Sequence, residues 1–236
     1  MKVACWSGPR NISTALMRSW SSRNDTFVSD EPFYSYYLKE TGLNHPMTEK
    51  ILKTYPVAKT EIIKNLTSDI PERKKIWYQK HMAHHIVKIK DLSWLKYFQN
   101  CILIRHPRDV INSYVKKNKL SSVFDLGYPQ QLMILDFLKR EKLKFHVISS
   151  DNFLKNPKKG LKEWCDSLNI DFQSDMLSWE KGPHKNDGIW GIHWYDNINN
   201  SKKFIHFEKN HSDEYKKYKS IYDEAKKIYK KIYTMD

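Results

Sequence analysis

The chain has 236 residues, 40% of them hydrophobic, and a formal net charge of +14, a size that suits a single α/β domain over residues 1–236 with a substantial core. Its longest apolar runs, such as Cys101 to Ile104, fall far short of the ~20 residues of a membrane span, and Met1-Lys2 leads straight into strand-like residues, so neither membrane anchor nor signal peptide is expected. The charge comes from 34 Lys spread along helical faces against 7 Arg, a pattern of solvated surface that argues against a specific nucleic-acid footprint.

Val3 to Ser7 reads as a short buried strand, broken at Gly8-Pro9 before Ile12, Leu16 and Trp20 recur at helical spacing. Phe27 to Ser29 predicts a second strand ending at Asp30-Glu31-Pro32, with a helix over Phe33 to Leu38. Residues 41 to 75 read as a polar helical excursion. Ile76 to Tyr78 and Cys101 to Ile104 are candidate central strands, and a helix starts near Pro107, a residue suited to a first helical turn. Further helices are expected over Leu132 to Leu143, Lys158 to Leu168 and Tyr215 to Ile232, with a strand at Phe145 to Ser149. Trp179 to Phe207 lacks periodicity and is too aromatic for a linker, which predicts a site-covering loop. Strands alternating with helices give an α/β fold with a central parallel sheet flanked by helices. The three cysteines, Cys5, Cys101 and Cys165, are odd in number and widely spaced, as expected of free thiols in a reduced, cytoplasmic protein.

Arginine is scarce, and five of the seven lie in Arg10 to Arg23 and Arg105 to Arg108. These are the places to look for anion chemistry. In Ser7-Gly8-Pro9-Arg10-Asn11-Ile12-Ser13-Thr14 a strand ends, the backbone turns and a helix begins with two hydroxyl residues, so free N–H groups and the helix dipole face an anion. The Walker A pattern fails, because Gly and Lys would be needed where Ser13 and Thr14 stand. In the second segment, Arg105-His106-Pro107-Arg108-Asp109, an arginine leaves a strand end and Ser113 follows eight residues later in a helix, a spacing at which both can converge on one phosphate.

These two segments, in this order and about 90 residues apart, resemble the signatures of the sulfotransferase family. Pro9, Arg10, Ser13 and Thr14 match the family's Pro-Arg-Ser-Gly-Ser-Thr, with Asn11 and Ile12 where the family has Ser-Gly. Arg105 and Ser113 match its 3′-phosphate signature, and Asp151 to Pro157 and Asp187 to Phe204 resemble later family segments. The resemblance implies a P-loop NTPase-like sulfotransferase fold and 3′-phosphoadenosine 5′-phosphosulfate (PAPS) as sulfuryl donor. In that reading Arg10, Asn11, Ser13 and Thr14 hold the 5′ end, and Arg105 and Ser113 hold the 3′-phosphate. It implies a small-molecule or carbohydrate acceptor and no metal.

Glu31 follows the second strand, where several relatives carry a glutamate as general base. Lys80 is expected to support the leaving oxygen, and His81, with His84 and His85 behind it, is the rival base. Trp190, His193, Trp194 and Tyr195 are candidate walls of an acceptor pocket. A divergent P-loop kinase is the competing enzyme reading, disfavoured by the missing Walker lysine, and a degenerate fold that only binds nucleotide is the non-enzymatic one.

Overall fold

Val3 to Trp6 are inaccessible to solvent on both faces, which is why this stretch is a continuous apolar run and not an alternating one. In the computed structural model, which describes residues 1–205 and 212–234, it forms the centre of a five-stranded parallel sheet. The strands β1 (Lys2–Ser7), β2 (Thr26–Asp30), β3 (Ile76–Met82), β4 (Gln99–Ile104) and β5 (Phe145–Ser149) lie in the order β2-β3-β1-β4-β5. Helix α1 (Ser13–Ser21) carries the chain from β1 to β2, and α2 (Tyr34–Thr41), α3 (Thr48–Thr54) and α4 (Lys59–Thr67) fill the passage to β3. Between β4 and β5 come α5 (Pro107–Tyr114) and α6 (Tyr128–Arg140). After β5 follow α7 (Ser150–Phe153), α8 (Pro157–Ser167), the short α9 (Gly191–Trp194) and α10 (Asp196–Asn199), and finally α11 (Lys219–Tyr233).

Alternation along the strands sorts side chains into two cores. Val3, Cys5, Tyr78, Cys101 and Leu103 face α1 and α8, where Leu16, Trp20, Leu161 and Trp164 close over them. Ala4, Trp6, Trp77, Ile102 and Ile104 face the other layer, with Ile62 and Leu66 of α4 and Ile134, Leu135 and Leu138 of α6. Among the described residues no helix is long and apolar enough to cross a membrane, and Cys5, Cys101 and Cys165 are buried, unbridged thiols.

The expected elements are present, with three bounds shifted by four residues and smaller shifts elsewhere. Strand β3 continues four residues past Tyr78, because Lys80 pairs with Asp30 on one side and Ser7 with Met82 on the other. Helix α6 begins at Tyr128, four residues before the apolar periodicity suggested, since Gly127 at φ 79° turns the chain and Pro129 sits in the first turn. The C-terminal stripe is split: Glu214–Tyr218 is a 3₁₀ turn and α11 starts only at Lys219. The aromatic segment is as aperiodic as expected, apart from α9 and α10, and its residues 206 and 207 lie outside the described residues.

Trp164 is fully buried, edge-on to Trp20 at 5.0 Å and to Tyr78 at 6.1 Å. Trp164→Ala should lower unfolding stability by about 3–5 kcal/mol, read from urea denaturation. A loss under about 1 kcal/mol would mean that the α8 layer does not depend on this side chain.

Candidate active site

The connection from β1 turns toward β2, whereas that from β4 turns toward β5, so the chain reverses direction between two adjacent strands. Loops leaving such a pair diverge and open a crevice at their C-terminal ends. Ser7 pairs with Leu103, so the loop after β1 and the residues after β4 emerge side by side. A Cβ on Gly8 would stand 2.4 Å from the Leu126 carbonyl oxygen, which excludes any side chain there.

Arg10 and Ile12 both adopt left-handed backbone, φ 59° and 42°. For a β-branched residue this is an outlier, with a cost of order 1–3 kcal/mol. The conformation is held by its surroundings. The Asn11 side chain donates to the Leu103 carbonyl at 2.6 Å and accepts from the Ser150 hydroxyl, while Gln131 donates to the carbonyls of Leu103 and Trp6 at 2.7 and 3.0 Å. The Asn11 side chain therefore clamps the loop to the sheet and does not point to a ligand, a correction to its expected binding role.

Inside this frame two guanidinium groups approach each other. Arg10 Nε donates to Ser113 Oγ at 2.9 Å, and Arg105 Nη1 donates to the Arg10 carbonyl at 3.0 Å. Asp151 lies 3.6 Å from Arg105 Nε, and among the described residues no carboxylate pairs with Arg10. Burial, followed by the charge of Arg105, pushes Arg10 below the usual arginine range. Ser13 is buried and Thr14 half-buried in the first turn of α1, and no side chain caps that helix. Two crowded cations beside an uncapped helix start form a cradle that an anion would stabilise. Arg10, Ser13, Thr14, Arg105 and Ser113 all lie around this crevice.

A second cluster forms one strand further over. Lys80 Nζ donates to Asp30 Oδ1 at 2.8 Å, Glu31 Oε1 at 2.6 Å and Tyr195 Oη at 2.7 Å. An ammonium has three protons, so all are engaged and none remains for a leaving oxygen. Asp30 and Lys80 side chains are 1% exposed and Glu31 is 13% exposed, which makes Glu31 the member open to an incoming group. Burial, reinforced by Asp30 and opposed by Lys80, raises the Glu31 proton affinity above the usual carboxylate range. For Lys80 burial acts downward, but the two carboxylates outweigh it and hold the ammonium charged.

Lys80 and His81 are consecutive on β3, so their side chains leave opposite faces. His81 stacks on Trp6 at 4.2 Å, approaches Gln79 Oε1 at 3.2 Å, and is pushed down to about 3 by burial. It belongs to the core, not to the Lys80 cluster, and this corrects its assignment as a rival base. His84 is also pushed down to about 3, by burial and then by His45, and His85, stacked between Tyr34 at 4.9 Å and Tyr37 at 4.6 Å, lies well below its usual range through burial first. These imidazoles are neutral and weakly basic. Tyr34 Oη meets His45 Nδ1 at 2.8 Å, and an open groove of about 540 Å³ begins beside His45, Met47 and Lys53. Of the expected pocket walls, Trp190 and Tyr195 are buried and Trp194 half-buried, but His193 is exposed.

Arg18 and Asp30 were given no role from the sequence, and Tyr195 was expected only as a wall of the acceptor pocket. Arg18 forms a bidentate pair with Asp187, both contacts 2.6 Å, and touches Asn199 at 3.3 Å; its only signal was membership of the arginine-rich stretch. The Gly188 amide donates to Asp30 Oδ2 at 3.0 Å, and Tyr195 Oη lies 2.7 Å from the same oxygen. Asp30 was overshadowed by its neighbour Glu31, and Tyr195 by the aromatic company around it.

A P-loop-like α/β fold with two arginines brought together at its reversal point is thus defined by the geometry. The sulfotransferase domain family matches residues 1–229, and the chain belongs to that family. Among curated proteins it is similar to the branched-chain-amino-acid aminotransferase-like proteins 2 and 1 of Arabidopsis thaliana, each 32% identical over 202 residues. The match covers 86% of this chain and 36% of theirs, so the chain spans about a third of the length of these relatives. Its fold resembles the sulfotransferase domain of the Synechococcus PCC 7002 olefin synthase, with a TM-score of 0.56, 16% identity and coverage of 87% of this chain and 85% of that one. It also resembles the sulfotransferase domain of the curacin biosynthetic pathway, with a TM-score of 0.53, 19% identity and coverage of 96% and 95%.

The Arg18–Asp187 pair is buried on both sides, so removing one partner strands the other charge. Asp187→Asn should cost about 3–5 kcal/mol in urea denaturation, and Arg18→Met combined with Asp187→Leu should recover most of that loss. A double variant as unstable as the single one would assign the cost to something other than the stranded charge.

Proposed function

We propose that this chain transfers a sulfuryl group from PAPS to a hydroxyl or amine of a small-molecule or carbohydrate acceptor, with Glu31 as the general base. The observation that carries the reading is the meeting of Arg10 and Arg105 at the C-terminal ends of β1 and β4, two cations in one crevice with Ser113 bonded to Arg10. The donor set suits a ligand with phosphates at both ends. Arg10, Ser13, Thr14 and the first amides of α1 hold the 5′-phosphosulfate, while Arg105 and Ser113 hold the 3′-phosphate. The Ser113 hydroxyl already accepts from Arg10, so its own proton remains to be donated.

PAPS supplies the sulfuryl group on a phosphate leaving group, and the transfer resembles phosphoryl transfer in requiring positioning and charge stabilisation more than covalent participation. Glu31 accepts the acceptor's proton as the acceptor oxygen or nitrogen bonds to sulfur and the bond from sulfur to the bridging oxygen breaks. Arg10 and the α1 amides meet the negative charge that builds on that oxygen. Lys80 is assigned to holding Glu31, since its protons are engaged with Asp30, Glu31 and Tyr195. Glu31 is preferred to His81, His84 and His85, which accept a proton only far below neutral pH.

Calorimetric titration with 3′-phosphoadenosine 5′-phosphate, with ATP for comparison, tests the donor class. Selective binding is expected, weakened about 10- to 100-fold in Arg105→Ala by the loss of charge-assisted hydrogen bonds. Equal binding of ATP would turn the reading toward a kinase-like protein, and no binding of either would remove it.

Turnover of radiolabelled PAPS against simple alcohols, phenols, amines and sugars tests the base. The active form of Glu31 is the carboxylate, and its proton affinity is raised. Activity should therefore rise with pH along an acid limb above the ~4.3 of an ordinary glutamate. Glu31→Gln should lower kcat by about 10²- to 10⁴-fold and abolish that limb, whereas an unchanged profile would exclude Glu31.

A further inference from the structure

We propose that Tyr195 is a positioning residue that ties the seating of the 187–199 segment to the proton affinity of Glu31; the catalytic meaning of this coupling rests on the reading of Glu31 as base. The hydrogen bonds leave one consistent arrangement. Lys80 donates to Tyr195 Oη at 2.7 Å, so the phenol oxygen acts as acceptor there, and its single proton goes to Asp30, whose carboxylate oxygens lie 2.8 and 2.7 Å away. Glu31 Oε1 is 3.4 Å from the same hydroxyl. Tyr195 is the one group in this cluster that is neither on the sheet nor adjacent to it in sequence. It arrives from the covering segment.

That segment is fastened to the site at two further points. Asp187 is held by Arg18, and the Gly188 amide donates to Asp30 Oδ2 at 3.0 Å. Seating the segment thus delivers two donors to Asp30, the Gly188 amide and the Tyr195 hydroxyl, and one acceptor to Lys80. Lifting it removes all three. Where the hydroxyl alone is lost and the segment stays seated, Asp30 competes more strongly for Lys80, and Glu31 faces a more negative neighbour with a weaker share of the ammonium, so it holds its proton to higher pH. Lifting the whole segment also admits water, which relieves the burial that raises Glu31 and acts in the opposite direction.

The other groups facing Glu31 do not counter this. Asp30 comes from β2, Lys80 from β3, Tyr34 from α2 and Tyr195 from the covering segment. Tyr34 is held protonated by burial and by the Glu31 charge. Behind Asp30 stand Tyr55, raised by burial, and His184, lowered by burial and then Arg18; behind Lys80 stands His85, lowered by burial. Asp30 and Lys80 are the charges that set Glu31, and Tyr195 touches both.

The test is an NMR titration of the full chain carrying isotope-labelled glutamate carboxyls, with Glu31 assigned as the resonance absent from Glu31→Gln. In Tyr195→Phe, which keeps the ring and its packing, the Glu31 midpoint should move to higher pH. A merely structural role for Tyr195 would lower stability and leave the midpoint in place. An unmoved midpoint in folded Tyr195→Phe overturns the coupling. This outcome is separable from failure of the base reading: full turnover by Glu31→Gln would remove the base and leave the titration result standing, while an inactive Glu31→Gln with an unmoved midpoint would remove only Tyr195.

Discussion

The constraint on which the rest depends is the burial of residues 3 to 7 of β1 between β3 and β4. A parallel strand covered on both faces has no side chain free to meet a ligand, so every functional group must wait until the chain leaves the sheet. It leaves at Ser7 beside Leu103, and this register brings Arg10 and Arg105, which are 95 residues apart, into one crevice. The backbone there is forced. Gly8 passes under the Leu126 carbonyl, and Arg10 and Ile12 both take left-handed conformations. The strain at Ile12 is sustained by hydrogen bonds from Asn11 and Gln131 to the carbonyls at the strand ends. Shape at the anion cradle is thus imposed by the sheet edge and does not depend on glycine at position 12.

Buried charge is the second theme, and its cost is informative. Lys80 with Asp30, and Arg18 with Asp187, are ion pairs almost fully removed from water, where desolvation offsets much of the attraction and an apolar replacement would often be no less stable. What the pairs contribute instead is geometry. Arg18 is on α1, Asp30 ends β2, Lys80 is on β3, and Asp187, Gly188 and Tyr195 belong to the covering segment. Arg18 and Asp187 are paired only when the segment meets α1, and Asp30 and Lys80 reach their full set of partners only when it also meets β2 and β3. A segment without its own periodicity is thereby held by directional contacts where apolar packing alone would let it slide.

Much of the fold was legible in the sequence because apolar runs and helical stripes report burial directly. Strands at Val3, Phe27, Cys101 and Phe145 and the helix at Pro107 follow from that signal. It failed where polar residues are buried. Gln79, Lys80 and His81 look like a strand's end, yet they continue β3, because Gln79 bonds the Leu66 carbonyl, Lys80 meets two carboxylates and His81 stacks on Trp6. The same blindness affected the site. Arg10, Glu31 and Arg105 sit in local patterns that announce them. Asn11 lies within the signature segment, at a position where it departs from the family, and clamps the loop, and the partners of Lys80 depend on strand neighbours and on a residue 115 positions away.

The consecutive pair Lys80 and His81 condenses the reason. In sequence they form one basic unit. In the sheet they belong to different cores, one side chain among carboxylates near the crevice and the other sealed against an indole. A one-residue change of register would exchange them, placing an imidazole between Asp30 and Glu31 and an ammonium against Trp6 with no counter-ion. Burying that unpaired charge would cost several kcal/mol. The pairing of Asp30 with Lys80 and of Trp6 with His81 is therefore selected by electrostatics as well as by apolar burial, and the same selection fixes which titratable group stands beside Glu31.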